Sequence, residues 1–371
     1  MQNLFNNTYK GKKVLITGHT GFKGSWLSIW LNELGAEVAG FSLDPQNFED
    51  NFVLCGLSTK LIDIRGNIKD YEAVLSAFNK FQPEIVFHLA AQPLVVLSYE
   101  CPKETFDTNT GGTVNVLEAI RHTPSVKVAV MITTDKCYEN REMMWGYREN
   151  DAMGGYDPYS ASKGAAEIVI SAYRNSFFNP AKFESHGKSV SSVRAGNVVG
   201  GGDWAKDRIV PDCIRSIKNN EPIKVRNPLA TRPWQHVLEP LSAYLWLGSQ
   251  MWENGVKFSG AWNFGPEFES VVPVKEIVEL LIKYMKKGAW IDMSNPGALH
   301  EAKLLALDCT KAKSLLNLHP ILDIEQNIML TAEWYLKYED ENAYDLCVQN
   351  INYYITMARK KRAVWTNTNS H

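Results

Sequence analysis

The sequence predicts an α/β fold: a Rossmann-type doubly wound parallel sheet with a smaller C-terminal substrate-binding domain. Three observations predict it. Short apolar runs alternate with longer helical stretches through the first half of the chain, and a glycine-rich loop separates the first such run from the first helix. Beyond residue 199 the chain turns rich in Gly, Pro and Trp, as in GGGDWAKDRIVP and RNPLATRPWQHV. Parallel strands need a crossover, usually a helix, so the βαβ rhythm implies a parallel sheet with helices on both faces.

With 371 residues, 45% hydrophobic and 22% charged, the chain can bury a large core and has the make-up of an ordinary globular protein. Lysine and arginine total 39 against 41 acidic residues. That balance argues against a broad electrostatic footprint for nucleic acid or for an anionic membrane surface. Any phosphate recognition is expected to be local. Six cysteines, at 55, 101, 137, 213, 309 and 347, form no CxxC pair and no His/Cys cluster at metal-ligand spacing. Reduced thiols in a cytoplasmic protein, and no metal site, are therefore expected. The opening MQNLFNNTYKGKK has no apolar signal core, and no run approaches the roughly 18 apolar residues of a membrane helix.

Val14 to Thr17 reads as the first strand. Behind it, TGHTGFKGSWL sets Gly18, Gly21 and Gly24 before an amphipathic stretch, Ser25 to Leu34, that closes at Gly35. Glycines there let the backbone approach a pyrophosphate, whose charge sits among the unpaired N–H groups of a helix N-terminus. A dinucleotide is the expected ligand, with Thr20 and Phe22 in the same loop, although the spacing is GxxGxxG rather than GxGxxG. The next strand, Glu37 to Leu43, leads to Asp44, about 20 residues past the loop, where a carboxylate accepts from an adenosine ribose. An acid there repels a 2′-phosphate and favours NAD over NADP. Asp63 and Ile64 occupy the next adenine-side position.

Ile85 to Ala90 and Val126 to Thr133 read as further strands. The second ends in Thr134-Asp135-Lys136, at the C-terminal edge where open α/β sheets bind ligands. A hydroxyl can polarise a substrate hydroxyl, a carboxyl of raised pKa can donate a proton, and an amine of lowered pKa can remove one. A simple salt bridge between Asp135 and Lys136 is the plainer alternative. Ser160 to Phe178 reads as a long helix. At its start Tyr159 and Lys163 form YxxxK, a four-residue step that puts both on one face. A nearby ammonium favours phenolate, lowering a tyrosine pKa otherwise near ~10 and making Tyr159 a base.

After a strand from Ser189 to Val199, the loop-rich segments supply Asn197, Arg208 and Arg232 as candidates to meet a diphosphate or sugar, because guanidinium forks match phosphate oxygens. His300 is a further candidate. Trp204 and Trp234 suit either stacking on a ligand or core packing. Val237 to Gln250 and WNFG read as a helix and a strand returning to the first domain. The expected division is 1–198, joined by about 236–265, for the dinucleotide; 199–235 with 266–358 for the substrate; and 359–371 as a tail.

Seven ordered segments, GHTGFKGSWLS, HLAAQPLV, TTDKCYEN, YSASK, VRAGNVVGGGDWAKDRIVPD, TRPWQHVLEPL and AWNFGP, resemble the extended short-chain dehydrogenase/reductase family, and within it the CDP-D-glucose 4,6-dehydratases. The resemblance implies NAD as cofactor, CDP-glucose as substrate and a redox-neutral course. Tyr159, helped by Thr134 and Lys163, takes the proton of the sugar 4-hydroxyl as hydride moves to NAD. Lys136 then takes the C5 proton while Asp135 protonates the departing 6-hydroxyl, and hydride returns to C6 to give CDP-4-keto-6-deoxy-D-glucose. Related dTDP-glucose and GDP-mannose dehydratases carry Glu where Lys136 stands. The resemblance further implies that Leu89, Ala90 and Ala91 pass close to NAD and that Gln92 faces the nicotinamide or the substrate. It also implies a homodimer, or a tetramer, built through helices near Gly111 to Arg121 and Ser160 to Phe178. Two rival readings are a nucleotide-sugar 4-epimerase, which has no need of Asp135 and Lys136, and a dinucleotide-sensing module without turnover.

Overall fold

In a computed structural model, which describes residues 1, 3–294 and 304–366, the strand-helix alternation takes the expected form. The chain lays down β1 (Lys13–Thr17), α1 (Phe22–Glu33), β2 (Glu37–Ser42), β3 (Ile62–Arg65), α2 (Tyr71–Phe81) and β4 (Ile85–His88). There follow α3 (Gly112–His122), β5 (Val128–Ile132), α4 (Pro158–Ser176), β6 (Ser189–Ala195), α5 (Ile209–Lys218), α6 (Leu238–Asn254) and β7 (Ala261–Phe264). The strands join in the order β7-β6-β5-β4-β1-β2-β3, and every neighbouring pair is parallel. Strand order therefore reverses between β1 and β4, which opens a crevice beyond their C-terminal ends. All residues of β4, β5 and β6 are buried; β5 accordingly reads as an unbroken apolar run, whereas β6 buries Ser189, Ser191, Ser192 and Arg194 as well.

Two apolar layers cover the sheet. One holds Val74, Phe78, Val116, Ile120 and Ile170 from α2, α3 and α4. The other joins α1 and α6 to α7 (Val274–Met285), α8 (Ile324–Lys337) and α9 (Ala343–Lys360). Helix α1 buries Trp26, Leu27, Ile29, Trp30 and Leu31, and the Trp26 indole N–H donates to the Gly201 carbonyl at 2.9 Å. That bond ties the glycine-rich stretch after β6 to the first helix. Within the stretch read as a tail, Trp365 is buried and stacks on Phe5 at 5.0 Å and on Tyr354 at 5.8 Å.

Local chemistry moves several boundaries. Helix α4 starts at Pro158, whose fixed φ suits a first helical residue, and the Asp157 carboxylate caps it by accepting from the Ser160 N–H at 2.9 Å. Strand β6 stops at Ala195, before Gly196, rather than running on to Val199. Helix α6 packs on β5 and β6, and β7 pairs with β6. Three two-stranded pairs lie outside the main sheet: Val198–Val199 with Gln235–His236, Ile223–Val225 with Trp290–Asp292, and Thr231–Pro233 with Val271–Pro273. Among the described residues, no helix is long and apolar enough to cross a membrane.

Candidate active site

The glycine loop meets the end of β4 backbone to backbone. Gly18 has φ +79°, in the left-handed region, and a Cβ on it would lie 2.7 Å from the Ala90 nitrogen. A Cβ on Gly24 would lie 2.1 Å from the Gly18 carbonyl oxygen. Gly21, the residue before α1, has no side chain to cap the helix, and the first turn carries no acidic residue. Such an end suits an anion. Thr20 Oγ1 bonds Ser42 Oγ at 2.7 Å and the Leu43 carbonyl at 3.1 Å, fixing the loop to the end of β2. The Phe22 ring reaches Gly200, where a Cβ would come within 3.1 Å of it. The cradle fits the pyrophosphate of a dinucleotide.

Asp44 follows β2 with its side chain 87% exposed and Oδ1 3.6 Å from Arg65 Nε. Asp63, on β3, is already committed: Oδ1 lies 2.9 Å from His19 Nε2 and Oδ2 2.6 Å from Arg65 Nη2. Ile64 packs against the apolar layer of Val74, Phe78 and Val116. His19, which no sequence motif singles out, fills the space above Gly40 and is held below the ordinary histidine value by burial, against the pull of Asp63. The Leu89 N–H donates to the Thr17 carbonyl at 3.0 Å and the Ala90 N–H to Thr17 Oγ1 at 3.3 Å, with Ala91 partly exposed beyond them. Gln92 departs from expectation. Its Nε2 donates to the Leu94 carbonyl and Thr105 Oγ1, and its Oε1 accepts from the Leu94 N–H. The amide braces its own loop.

Thr134, Asp135, Tyr159 and Lys163 are all buried and converge at the end of β5. Thr134 caps a short 3-10 turn, Asp135–Cys137. Its Oγ1 donates to Asp135 Oδ1 at 3.0 Å, and its side chain also hydrogen-bonds with the Tyr159 phenol. Lys136 Nζ lies 6.0 Å from the centroid of the Tyr159 ring. Burial pushes the Asp135 carboxyl above the usual carboxylate range, although Lys136, Thr134, Arg232 and Lys23 pull it down. Its Oδ2 is buried and has no hydrogen-bond partner among the described residues. Gly196 stands opposite: a Cβ there would lie 3.1 Å from Oδ2 and 2.7 Å from Pro233 Cγ.

The tyrosine-lysine electrostatics differ from the sequence reading. Burial raises Tyr159 to about 12, and what opposes it is Thr134 and Arg208. Burial lowers Lys163 to about 8, and the group that restores its charge is Glu167, four residues on. The helical step does put Tyr159 and Lys163 on one face, yet the lysine charge is balanced by the next turn of its own helix. In the protein alone the phenol is therefore not held as phenolate.

Arg208 pairs with Asp203 at 2.9 Å and faces Tyr159. Arg232 donates to the Thr231 carbonyl at 2.8 Å and bears on Asp135. Asn197 is partly exposed just past β6. His300 lies outside the described residues. Trp204, edge-on to Tyr335 at 5.3 Å, and Trp234, whose indole donates to the Val272 carbonyl at 3.1 Å, are both core residues. Lys23, in the first turn of α1, is a cleft residue that sequence reasoning missed. Burial lowers it to about 8, with Arg208 and Lys163 adding to the effect and Asp135 opposing it. Its place inside the glycine loop was the only signal.

A family profile described as GDP-mannose 4,6-dehydratase matches residues 15–331. The chain is 50% identical over 329 residues to CDP-glucose 4,6-dehydratase of Salmonella typhimurium, covering 89% of this chain and 92% of that protein. It is 25% identical to CDP-paratose 2-epimerase of Salmonella typhi, over 87% of this chain and 98% of that one. Among solved structures, dTDP-glucose 4,6-dehydratase of Bacillus anthracis in complex with NAD superposes with a TM-score of 0.73 at 20% identity, covering 89% of this chain and 98% of that chain. UDP-glucose 4-epimerase of Thermotoga maritima gives 0.74 at 22%, covering 88% and 100%. At those identities the two structures establish the fold alone. From the profile match and the half-identical relative, the chain belongs to the GDP-mannose 4,6-dehydratase family, within the extended short-chain dehydrogenases/reductases.

Proposed function

We propose that the protein dehydrates CDP-D-glucose to CDP-4-keto-6-deoxy-D-glucose, using NAD. The observation that carries this reading is Asp135, a buried carboxyl held towards its protonated form, with one oxygen unpartnered, beside Tyr159. Elimination of a hydroxyl needs a proton donor at the leaving oxygen, whereas 4-epimerisation does not. The half-identical relative, named for CDP-glucose, supports the choice of nucleotide.

NAD supplies a reversible hydride acceptor when bound. Gly18, Thr20, Gly21, Phe22 and Gly24 would hold its pyrophosphate, Asp44 its ribose and Leu89 to Ala91 its inner face, with Asp63 acting through His19 and Arg65. With the positive charge of oxidised NAD in the site favouring phenolate, Tyr159 would accept the proton of the sugar 4-hydroxyl, with Thr134 and Lys163 beside it. The 4-keto group acidifies C5, so Lys136 takes the C5 proton while Asp135 gives its own proton to the departing 6-hydroxyl, which leaves as water. Arg208, Arg232 and Asn197 meet the diphosphate or the sugar. In this reading 1–198 with 236–265 hold the dinucleotide, and 199–235 with 266–358 hold the nucleotide sugar. A homodimer through α3 and α4 and a cytoplasmic setting complete it; Phe106, Ile168 and Phe177 are exposed on and beside these helices, and all six cysteines are free.

Incubation with NAD and CDP-D-glucose in deuterium oxide tests the reading. A product lighter by one water, with deuterium at C5, supports it. An isomer of CDP-D-glucose without deuterium at C5 overturns it.

A further inference from the structure

Glu167 lies on α4 one turn beyond Lys163 and is almost wholly buried, 3% exposed. Its Oε1 accepts from Thr133 Oγ1 at 2.5 Å, and its Oε2 accepts from Ser192 Oγ at 2.8 Å and Arg194 Nη2 at 2.7 Å. Arg194, on β6, is equally buried. Its Nη1 donates to the Tyr138 hydroxyl at 2.6 Å and to the Glu149 carbonyl at 3.0 Å. The Tyr138 hydroxyl donates onward to Asn263 Oδ1 at 2.7 Å, and its ring stacks on Tyr147 at 5.2 Å.

The two anchor points are Thr133 and Tyr138. They bracket Thr134, Asp135, Lys136 and Cys137. One buried ion pair thus fastens both ends of the turn that carries the acid and the base. Burying two opposite charges is a poor route to stability, because desolvation consumes most of the Coulombic gain. Both oxygens of this carboxylate are nonetheless satisfied, and both terminal nitrogens of Arg194 donate, while its Nε is buried without a hydrogen-bond partner among the described residues. Tyr159 is fixed by other means, through the Asp157 cap at the start of α4, where Oδ2 also accepts from Ser160 Oγ at 2.6 Å.

We propose that the Glu167–Arg194 pair is a positioning device for the elimination half of the reaction, holding Asp135 and Lys136 in register with Tyr159 without touching substrate. The inference rests on the function proposed above. Loosening the pair displaces the acid and base while leaving the tyrosine in place, and a displacement of about 1 Å costs on the order of 100-fold in rate.

Single-turnover experiments on the NAD-loaded protein with CDP-D-glucose separate the two halves. Absorbance of reduced cofactor reports oxidation, and product mass reports loss of water. In Tyr138→Phe and Thr133→Val, reduced cofactor should form at close to the normal rate and then accumulate, with water loss slowed about 10- to 100-fold and KM little changed. Both variants keep the ion pair and the Glu167 carboxylate near Lys163; Thr133→Val releases the near end of the turn and Tyr138→Phe the far end. Equal slowing of both halves, or no slowing of either, overturns the positioning role. Wild-type protein that removes no water from CDP-D-glucose overturns the functional reading, and the positioning role with it; active wild type with unaffected variants overturns the positioning role alone.

Discussion

The Thr134 hydroxyl donates to Oδ1 of Asp135 at 3.0 Å, leaving Oδ2 of the same carboxyl buried opposite Gly196 without a partner among the described residues. A buried polar atom without a hydrogen bond is costly, so such atoms call for an explanation. Protonating the carboxyl relieves part of that cost and turns Oδ2 into a donor aimed at whatever occupies the space Gly196 leaves.

Asp135→Asn keeps the bond from Thr134 and removes the transferable proton. Water loss should fall about 100- to 10,000-fold, while cofactor reduction by the substrate persists. Because burial raises the Asp135 pKa, the acid is present below that pKa and lost above it. The wild-type dehydration rate should therefore carry an alkaline limb that the variant's residual rate lacks. A pH-rate profile of both proteins checks this.

Lys163→Met should abolish oxidation and yet stabilise the fold. Burial lowers this lysine from 10.5 to about 8, so at neutral pH the native state holds a charge that water solvates better, a penalty of up to about 3 kcal/mol. Between about pH 8 and 10.5 the native protein has shed that proton and the unfolded chain has not, so wild-type stability rises with pH there relative to the variant. The variant's higher Tm at pH 7 should shrink as pH approaches 10, measured by thermal melts across that range.

Asp44 is exposed, with the Arg65 guanidinium beside it. Asp44→Ala removes the carboxylate that repels a 2′-phosphate and leaves the guanidinium near it. The Kd ratio should shift towards NADP by about 10-fold, equivalent to ~1.4 kcal/mol. Titration of both cofactors against wild type and variant measures the ratio; an unchanged ratio places the ribose elsewhere.

Gly24→Ala would set a methyl group 2.1 Å from a backbone oxygen of the same loop. Neither partner can move without dragging the strand end with it. NAD affinity should drop by more than 10-fold, with about 1 to 3 kcal/mol lost in stability, as read by calorimetric titration and denaturant unfolding.

What the sequence disclosed follows from how locally each feature is determined. Strands β1 and β5 were legible because strands buried on both faces are written as largely apolar runs, and the glycine loop because its backbone approach tolerates no Cβ. Strand β3 was not recognised as a strand, since Ile62 to Arg65 alternates charged and apolar residues near the sheet edge. Thr134, Asp135, Tyr159 and Lys163 were legible as chemistry-bearing residues. Their electrostatics were not, because burial sets the largest part of them and Arg208 reaches Tyr159 from an element far along the chain; Glu167, one turn beyond Lys163, was within reach of the helical spacing but was not singled out. His19 and the Glu167–Arg194 pair were invisible because tertiary packing alone sets their partners, and Lys23 was signalled only by its place in the glycine loop. The Gln92 amide was read as facing a ligand, but it completes a turn three residues long.

Product mass after incubating the purified protein with NAD and, separately, CDP-D-glucose, dTDP-glucose, UDP-glucose and GDP-mannose is the most direct measurement. Loss of one water from CDP-D-glucose alone is the predicted result. An isomer of unchanged mass, or no change with any of the four donors at saturating cofactor, contradicts it.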